Sequence, residues 1–172
     1  MTARGVPVAE QPQIGQYAPM GDDLGSNKAA VAAHFAALNS GDYSSLVGIH
    51  APSGRNHAHA PFDLSEWPAA GVPFGPVEVQ GTFEWLRSSL PDLRADVEAL
   101  VAEDDHVVAW VKMSGTQSGH LGTAEATGKR VEFHHAHRFR LADGMIVEHW
   151  AVRDDLRAML QSGVVRPPGA AT

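Results

Sequence analysis

Residues 131–153 read VEFHHAHRFRLADGMIVEHWAVR, and this stretch decides the fold. Val131 to Leu141 and Met145 to Arg153 are rich in β-branched and aromatic residues, and Ala142-Asp143-Gly144 between them is turn chemistry. This is the signature of a β-hairpin. Two registers compete. A two-residue Asp143-Gly144 loop pairs Ala142 with Met145 and puts Arg138 opposite His149. A three-residue loop pairs Leu141 with Met145 and gives Gly144 the left-handed bulge position. The second register sets Arg138 opposite Glu148 as a cross-strand ion pair, Phe139 opposite Val147, His137 opposite His149, and His135 opposite Ala151. It is the preferred reading. One face then holds Phe133, His135, His137, Phe139, Val147, His149 and Ala151. The other holds Glu132, His134, Arg138, Glu148 and Trp150.

Upstream, the period-two pattern continues. Ala95, Val97, Ala99 and Val101 alternate with mostly polar neighbours, Asp104-Asp105 turns the chain, and Val107, Ala109, Val111 and Met113 alternate again. Residues 114–128 read as a Gly/Ser/Thr-rich connection. Before Pro91 the period is helical. Val79, Phe83, Leu86 and Leu90 form one stripe behind Pro76, a residue suited to a helix first turn. Val31, Phe35 and Leu38 form another, with Ser26 as N-cap and Asn39-Ser40-Gly41 as stop. A short helix is expected from Asp42 to about His50, and a closing helical turn over 154–161. Residues 51–75 read as loop, with a short strand around His57–His59. Residues 1–24 and 163–172 read as flexible tails flanking one domain, 25–162. Helices first and antiparallel strands later make an α+β fold, a curved sheet with helices on one face.

Composition narrows the function. The 172-residue chain carries a net charge of −7, ten histidines and no cysteine. Without cysteine there are no disulfides, no thiol nucleophile and no Cys-based metal site. The acidic balance argues against nucleic-acid binding. No apolar run reaches the ~20 residues of a membrane span, and the N-terminus lacks a signal-peptide pattern. The expectation is therefore a cytoplasmic protein. The Gly-rich stretches lack the strand–turn–helix setting of a phosphate loop, and no nucleophile elbow occurs.

Four segments carry a family resemblance. Ser89-Leu90-Pro91-Asp92-Leu93 resembles the Phe-Pro-Asp-Leu helix end of SnoaL-like proteins. Ser114-Gly115-Thr116-Gln117-Ser118-Gly119 resembles their Gly-Thr-His-x-Gly segment, with Gln117 in place of the usual His. Ala126-Thr127-Gly128-Lys129 is similar to their Pro-Thr-Gly-Lys turn, and residues 142–150 to their Asp-Gly-x-Ile-Val-Glu-His-Trp ending. The resemblance covers residues 27–162. It implies the nuclear transport factor 2-like fold, a cone-shaped barrel with N-terminal helices over a central pocket, usually dimeric. It also implies a cofactor-free intramolecular aldol ring closure, or a related isomerisation or dehydration, on a hydrophobic polyketide-like substrate. One departure bears on mechanism: where the cyclases place their acid/base Asp, this chain has Ala151. Their preceding-strand histidine matches His137.

With the pocket implied, the mostly apolar hairpin face is expected to line it. His137 and His149 are the candidate acid and base, since imidazole serves either role near neutral pH. Substrate contacts are expected from His57, His59, Trp85, Trp110, Phe133, His135, Phe139 and Ala151. Two other readings stand beside this one. His135, His137 and His149 could converge on a divalent metal as a three-histidine site. Alternatively the protein binds a small molecule without converting it. His34 is expected to pack in the core, His50, His106 and His120 to be solvated, and His134 to lie on the outer surface.

Overall fold

The computed structural model describes residues 24–58, 71–121, 124–166 and 169. The expected tail over 1–24 lies outside them except for Leu24, as do His59 and parts of the C-terminal tail. The element order is α1 (Leu24–Ser40), α2 (Leu46–Ile49), β1 (His50–Asn56), β2 (Val72–Pro73), α3 (Pro76–Ser89), β3 (Arg94–Glu103), β4 (His106–Thr116), β5 (Arg130–Ala142), β6 (Met145–Arg153) and α4 (Asp155–Ser162). The strands form one curved sheet in the order β2-β1-β6-β5-β4-β3. Among the described residues only the β1–β6 pair is parallel. The sheet is not closed: β2 and β3 remain as edges, and helices cover its concave side.

The β5–β6 hairpin takes a different register from the expected one. Asp143 and Gly144 both have positive φ (50° and 73°), so the loop is the two-residue turn and Ala142 pairs with Met145. A bulge then intervenes. Leu141 pairs with Ile146 but Arg140 with Glu148, leaving Val147 as the extra residue. Beyond the bulge, His137 faces Ala151, Phe139 faces His149 and His135 faces Arg153. These pairs differ from the expected ones by two residues. Because side chains alternate with period two, a shift of two preserves the faces. His135, His137, His149 and Ala151 therefore still share one side. The ion pair does move: Glu148 pairs with Arg140, while Arg138 lies over the Trp150 ring at 3.8 Å.

The segment 51–75 is not all loop. Its strand β1 runs earlier than expected and ends before His57. Pro52 and Gly54 hide it, because neither favours a strand. Pairing to β6 supplies what local propensity lacks, with an irregularity between His50 and Arg55. Gly54 is required there: a Cβ would meet the Phe74 carbonyl at 2.8 Å. The same approach lets Phe74 N–H donate to Gly54 O at 2.8 Å, tying β2 to β1.

The core lies between the helices and the concave face. Val31, Phe35 and Leu38 from α1 and Val79 and Phe83 from α3 pack with Val107, Val111, Phe139, Leu141 and Ile146. Helix α1 is clamped to the sheet edge by Asn39, which exchanges two hydrogen bonds with the Ala95 backbone (2.9 and 2.7 Å). Arg87 donates to the Leu38 carbonyl at 3.2 Å, satisfying one of the orphan acceptors at the helix end. Helix α4 is capped by Asp154, whose Oδ1 accepts from Arg157 N–H at 3.1 Å, and ends at Gly163 with φ 80°.

Candidate active site

The helices and the concave face enclose a cavity of about 950 Å³. That volume suits a drug-sized or polycyclic ligand. Its wall is mainly apolar, including Phe35, Phe74, Phe83, Trp85, Leu90, Met113 and Phe133. Into it project His34, His135, His137 and His149, with Asn56, Gln117, Arg153 and Asp155.

Strand pairing assembles the polar centre. Parallel pairing places Asn56 of β1 beside His149 of β6. His149 is in turn the diagonal cross-strand neighbour of His137, within reach of a long side chain. Asn56 Oδ1 lies 2.9 Å from His149 Nδ1, and His149 Nε2 lies 2.9 Å from His137 Nδ1. The direction of every proton along this chain follows from its first link. Asn56 Oδ1 also accepts the backbone N–H of Ala58 at 2.9 Å, which identifies that atom as oxygen. His149 Nδ1 must therefore donate. A neutral His149 then has a bare Nε2, so His137 Nδ1 donates to it. A neutral His137 is left with a bare Nε2. That atom is buried and has no hydrogen-bond partner. The relay ends in an unshared lone pair on a ring that lines the cavity.

Both rings are neutral for a physical reason. Burial lowers the His137 pKa to about 3, with the Arg153 cation adding to the shift. Burial likewise holds His149 well below the usual imidazole value, helped by His137, His50, Arg153 and His135. His135 is lowered to about 2 by burial, then by His137, Arg153 and His134, and its Nε2 is also buried without a partner. Arg153 brings positive charge to the cavity wall, and its Nε donates to Asp155 at 3.2 Å.

The expected site residues divide. His135, His137, His149, Trp85, Phe133 and Ala151 line the cavity. Phe139 is buried beneath it, between His34 and His149. Trp110 does not reach the cavity: it alternates to the convex face, 46% exposed, and stacks on His134. His57 also points away, stacking on Trp150 at 4.7 Å and meeting Glu148. The residue that enters from this segment is its neighbour Asn56, since alternation sends successive side chains to opposite faces. The three-histidine metal arrangement does not form. His137 and His149 turn nitrogens toward each other, and among the described residues no group of three or more His, Asp or Glu is placed to hold a metal. His50 is not solvated but fully buried, bonded to His34.

Gln117, which stands at the position of the usual family His, is fully buried and lines the cavity. Its amide donates to the Glu125 carbonyl, and its oxygen accepts from Thr127 Oγ1 at 2.8 Å. Both ends are engaged, so it holds the 114–128 connection in place. Asp155 reaches the cavity although it lies four residues beyond the usual Asp position.

Comparison with known proteins agrees with this architecture. No curated protein shows significant sequence similarity. Among solved structures, TsrD from Streptomyces laurentii is 26% identical, with a TM-score of 0.70 over 84% of this chain and 100% of that one. Wild-type IdmH from Streptomyces antibioticus, provisionally named a polyketide cyclase, is 28% identical, with a TM-score of 0.68 over 80% and 98%. A SnoaL-like polyketide cyclase from Agrobacterium tumefaciens has the same fold at 19% identity, TM-score 0.63, over 76% and 93%. The profile of SnoaL-like polyketide cyclases matches residues 28–162, most of the sequence, and the chain belongs to that family.

Proposed function

We propose that the protein is a cofactor-free acid/base enzyme of the polyketide-cyclase type, in specialised metabolism, with His137 as its base. The observation that carries this reading is the relay from Asn56 through His149 to His137, ending in a bare, buried Nε2 on a ring that lines the cavity. His149 is a positioning residue, because both its ring nitrogens are spent on Asn56 and His137. In ring closure substrate entry shifts the atoms that cover His137 Nε2, and this nitrogen takes a proton from a carbon next to a substrate carbonyl. The electron pair of that C–H bond forms the new C–C bond to a second carbonyl carbon. The π electrons of that carbonyl move to its oxygen, and His137 returns the proton there. The same first step serves an isomerisation, and a dehydration if the hydroxyl then leaves.

A base with a depressed pKa is suited to this cavity. Its low affinity for protons follows from burial and the Arg153 cation, which oppose a charged ring without a counter-charge beside it. An enolate forming beside it supplies that counter-charge, and Arg153 adds stabilisation of the anion. The apolar wall excludes water from the pair. The proposal includes a cytoplasmic homodimer, with Val101, Val108, Trp110 and Val152 exposed on the convex face as the surface a second copy would cover.

The test uses a model ketone. The protein is expected to accelerate exchange of the α-protons of 2-tetralone in D2O, and His137→Gln to return the rate to that of buffer. Exchange at the buffer rate with the wild-type protein would favour a binding protein instead, and unchanged exchange in the variant would exclude His137.

A further inference from the structure

A second histidine pair meets the same cavity from the helical side. His34 of α1 and His50 at the start of β1 are both buried, with His34 Nδ1 2.9 Å from His50 Nε2. His34 lines the cavity, wedged edge-on between Phe35 and Phe83 at ring distances of 4.9 Å. His50 does not reach it. One proton lies between the two nitrogens, and two arrangements are open. If His34 donates, His50 carries its own proton on Nδ1, a buried atom with no acceptor. If His50 donates, that Nδ1 is bare and only a lone pair goes unmatched. Buried N–H groups without acceptors are the rarer defect. The relay at His137 obeys the same preference: there Asn56 fixes the protons independently, and the buried partnerless nitrogen is a bare one. His50 therefore donates to His34 Nδ1, and the single proton of a neutral His34 resides on Nε2. Burial, then His50, His149 and His137, keep that ring neutral.

We propose that His34, oriented by His50, presents an Nε2–H donor to the substrate oxygen on which negative charge develops, the counterpart of the bare Nε2 of His137. The inference rests on the acid/base reading above and adds its electrophilic half. As His137 removes the α-proton, electron density moves to the carbonyl oxygen, and the His34 N–H holds it there. His34 transfers no proton overall. A neutral imidazole suffices for this role and avoids placing a full cation in the apolar site.

Two measurements on the full chain test it. Long-range proton–nitrogen spectra of the histidine rings at pH 7 are expected to show His34 protonated on Nε2 and bare on Nδ1. A proton on His34 Nδ1 would overturn the proposal, and this reading needs no variant to fold. In 2-tetralone exchange, His34→Phe is expected to lose about 10²-fold, the usual effect of removing one oxyanion donor, while the His137 ring keeps its proton on Nδ1. Wild-type exchange in that variant would also overturn the proposal. Loss in His137→Gln with none in His34→Phe sinks the donor alone, whereas retention in His137→Gln sinks the base.

Discussion

The two faces of the β5–β6 hairpin carry the same residue types and put them to opposite use. On the concave face His135 and His149 are buried and His137 is half-buried, all three are neutral, and all three line a cavity. On the convex face His134 meets Glu98 at 3.3 Å and stacks on Trp110, Glu148 pairs with Arg140, and Arg138 covers Trp150. His134 and His135 are adjacent in sequence, yet only the second is buried, and burial holds its ring neutral. The pleat decides which histidine keeps its solvent and which becomes a candidate for chemistry.

The contrast can be broken most severely at His137. His137→Gln is expected to lower α-proton exchange about 10²–10⁴-fold, the usual contribution of a positioned general base, whereas His134→Gln leaves it unchanged. Equal effects at the two positions would erase the distinction between faces. Next in size is Phe139→Ala, which opens a void between His34 and His149 and is expected to cost about 3–5 kcal/mol in urea unfolding.

Acid reveals the concave face as a group. A histidine held neutral when folded resists the proton that the unfolded chain accepts near pH 6.5. Its stabilising contribution is complete above that pH and is lost as pH falls toward the folded values, about 4 for His50 and about 3 for His137. Each such ring adds a slope of about 1.4 kcal/mol per pH unit within that window. Urea midpoints should therefore fall steeply from pH 6.5 to 4.5, and His135→Gln should flatten the slope. Smaller still is Asn56→Leu, which removes the acceptor that orients His149. Exchange should drop about tenfold, the worth of one hydrogen bond, and the His149 ring should lose its fixed tautomer. A purely structural role would lower stability without altering that tautomer. Smallest is His134→Gln itself, expected to shift stability by no more than about 0.5 kcal/mol.

The fold was legible wherever one period ran long enough. Helix stripes at Val31-Phe35-Leu38 and Val79-Phe83, and alternation through β4 to β6, gave the elements and their faces; in β3 a bulge between Val97 and Ala99 turns Ala99 and Val101 outward and Leu100 inward. The hairpin register was not legible. An ion pair between Arg138 and Glu148 favours the three-residue loop, yet Asp143 and Gly144 adopt the positive-φ turn and Val147 bulges out. Faces survived because the error was two residues. Strand β1 was hidden by Pro52 and Gly54, and with it went Asn56 and the burial of His50, since both depend on pairing with β6. In the Asn56-His57 segment alternation allows only one of the two neighbours to turn inward, and pairing with β6 makes it Asn56. The direction of protons in the relay depends on three elements meeting, which no local pattern encodes.

The central claim is that Asn56 and His149 leave His137, a ring on the cavity wall, with a bare Nε2. The nitrogen spectrum of the His137 ring at pH 7 tests it most directly. The account predicts a protonated Nδ1 and an unprotonated Nε2. A protonated Nε2 would contradict it.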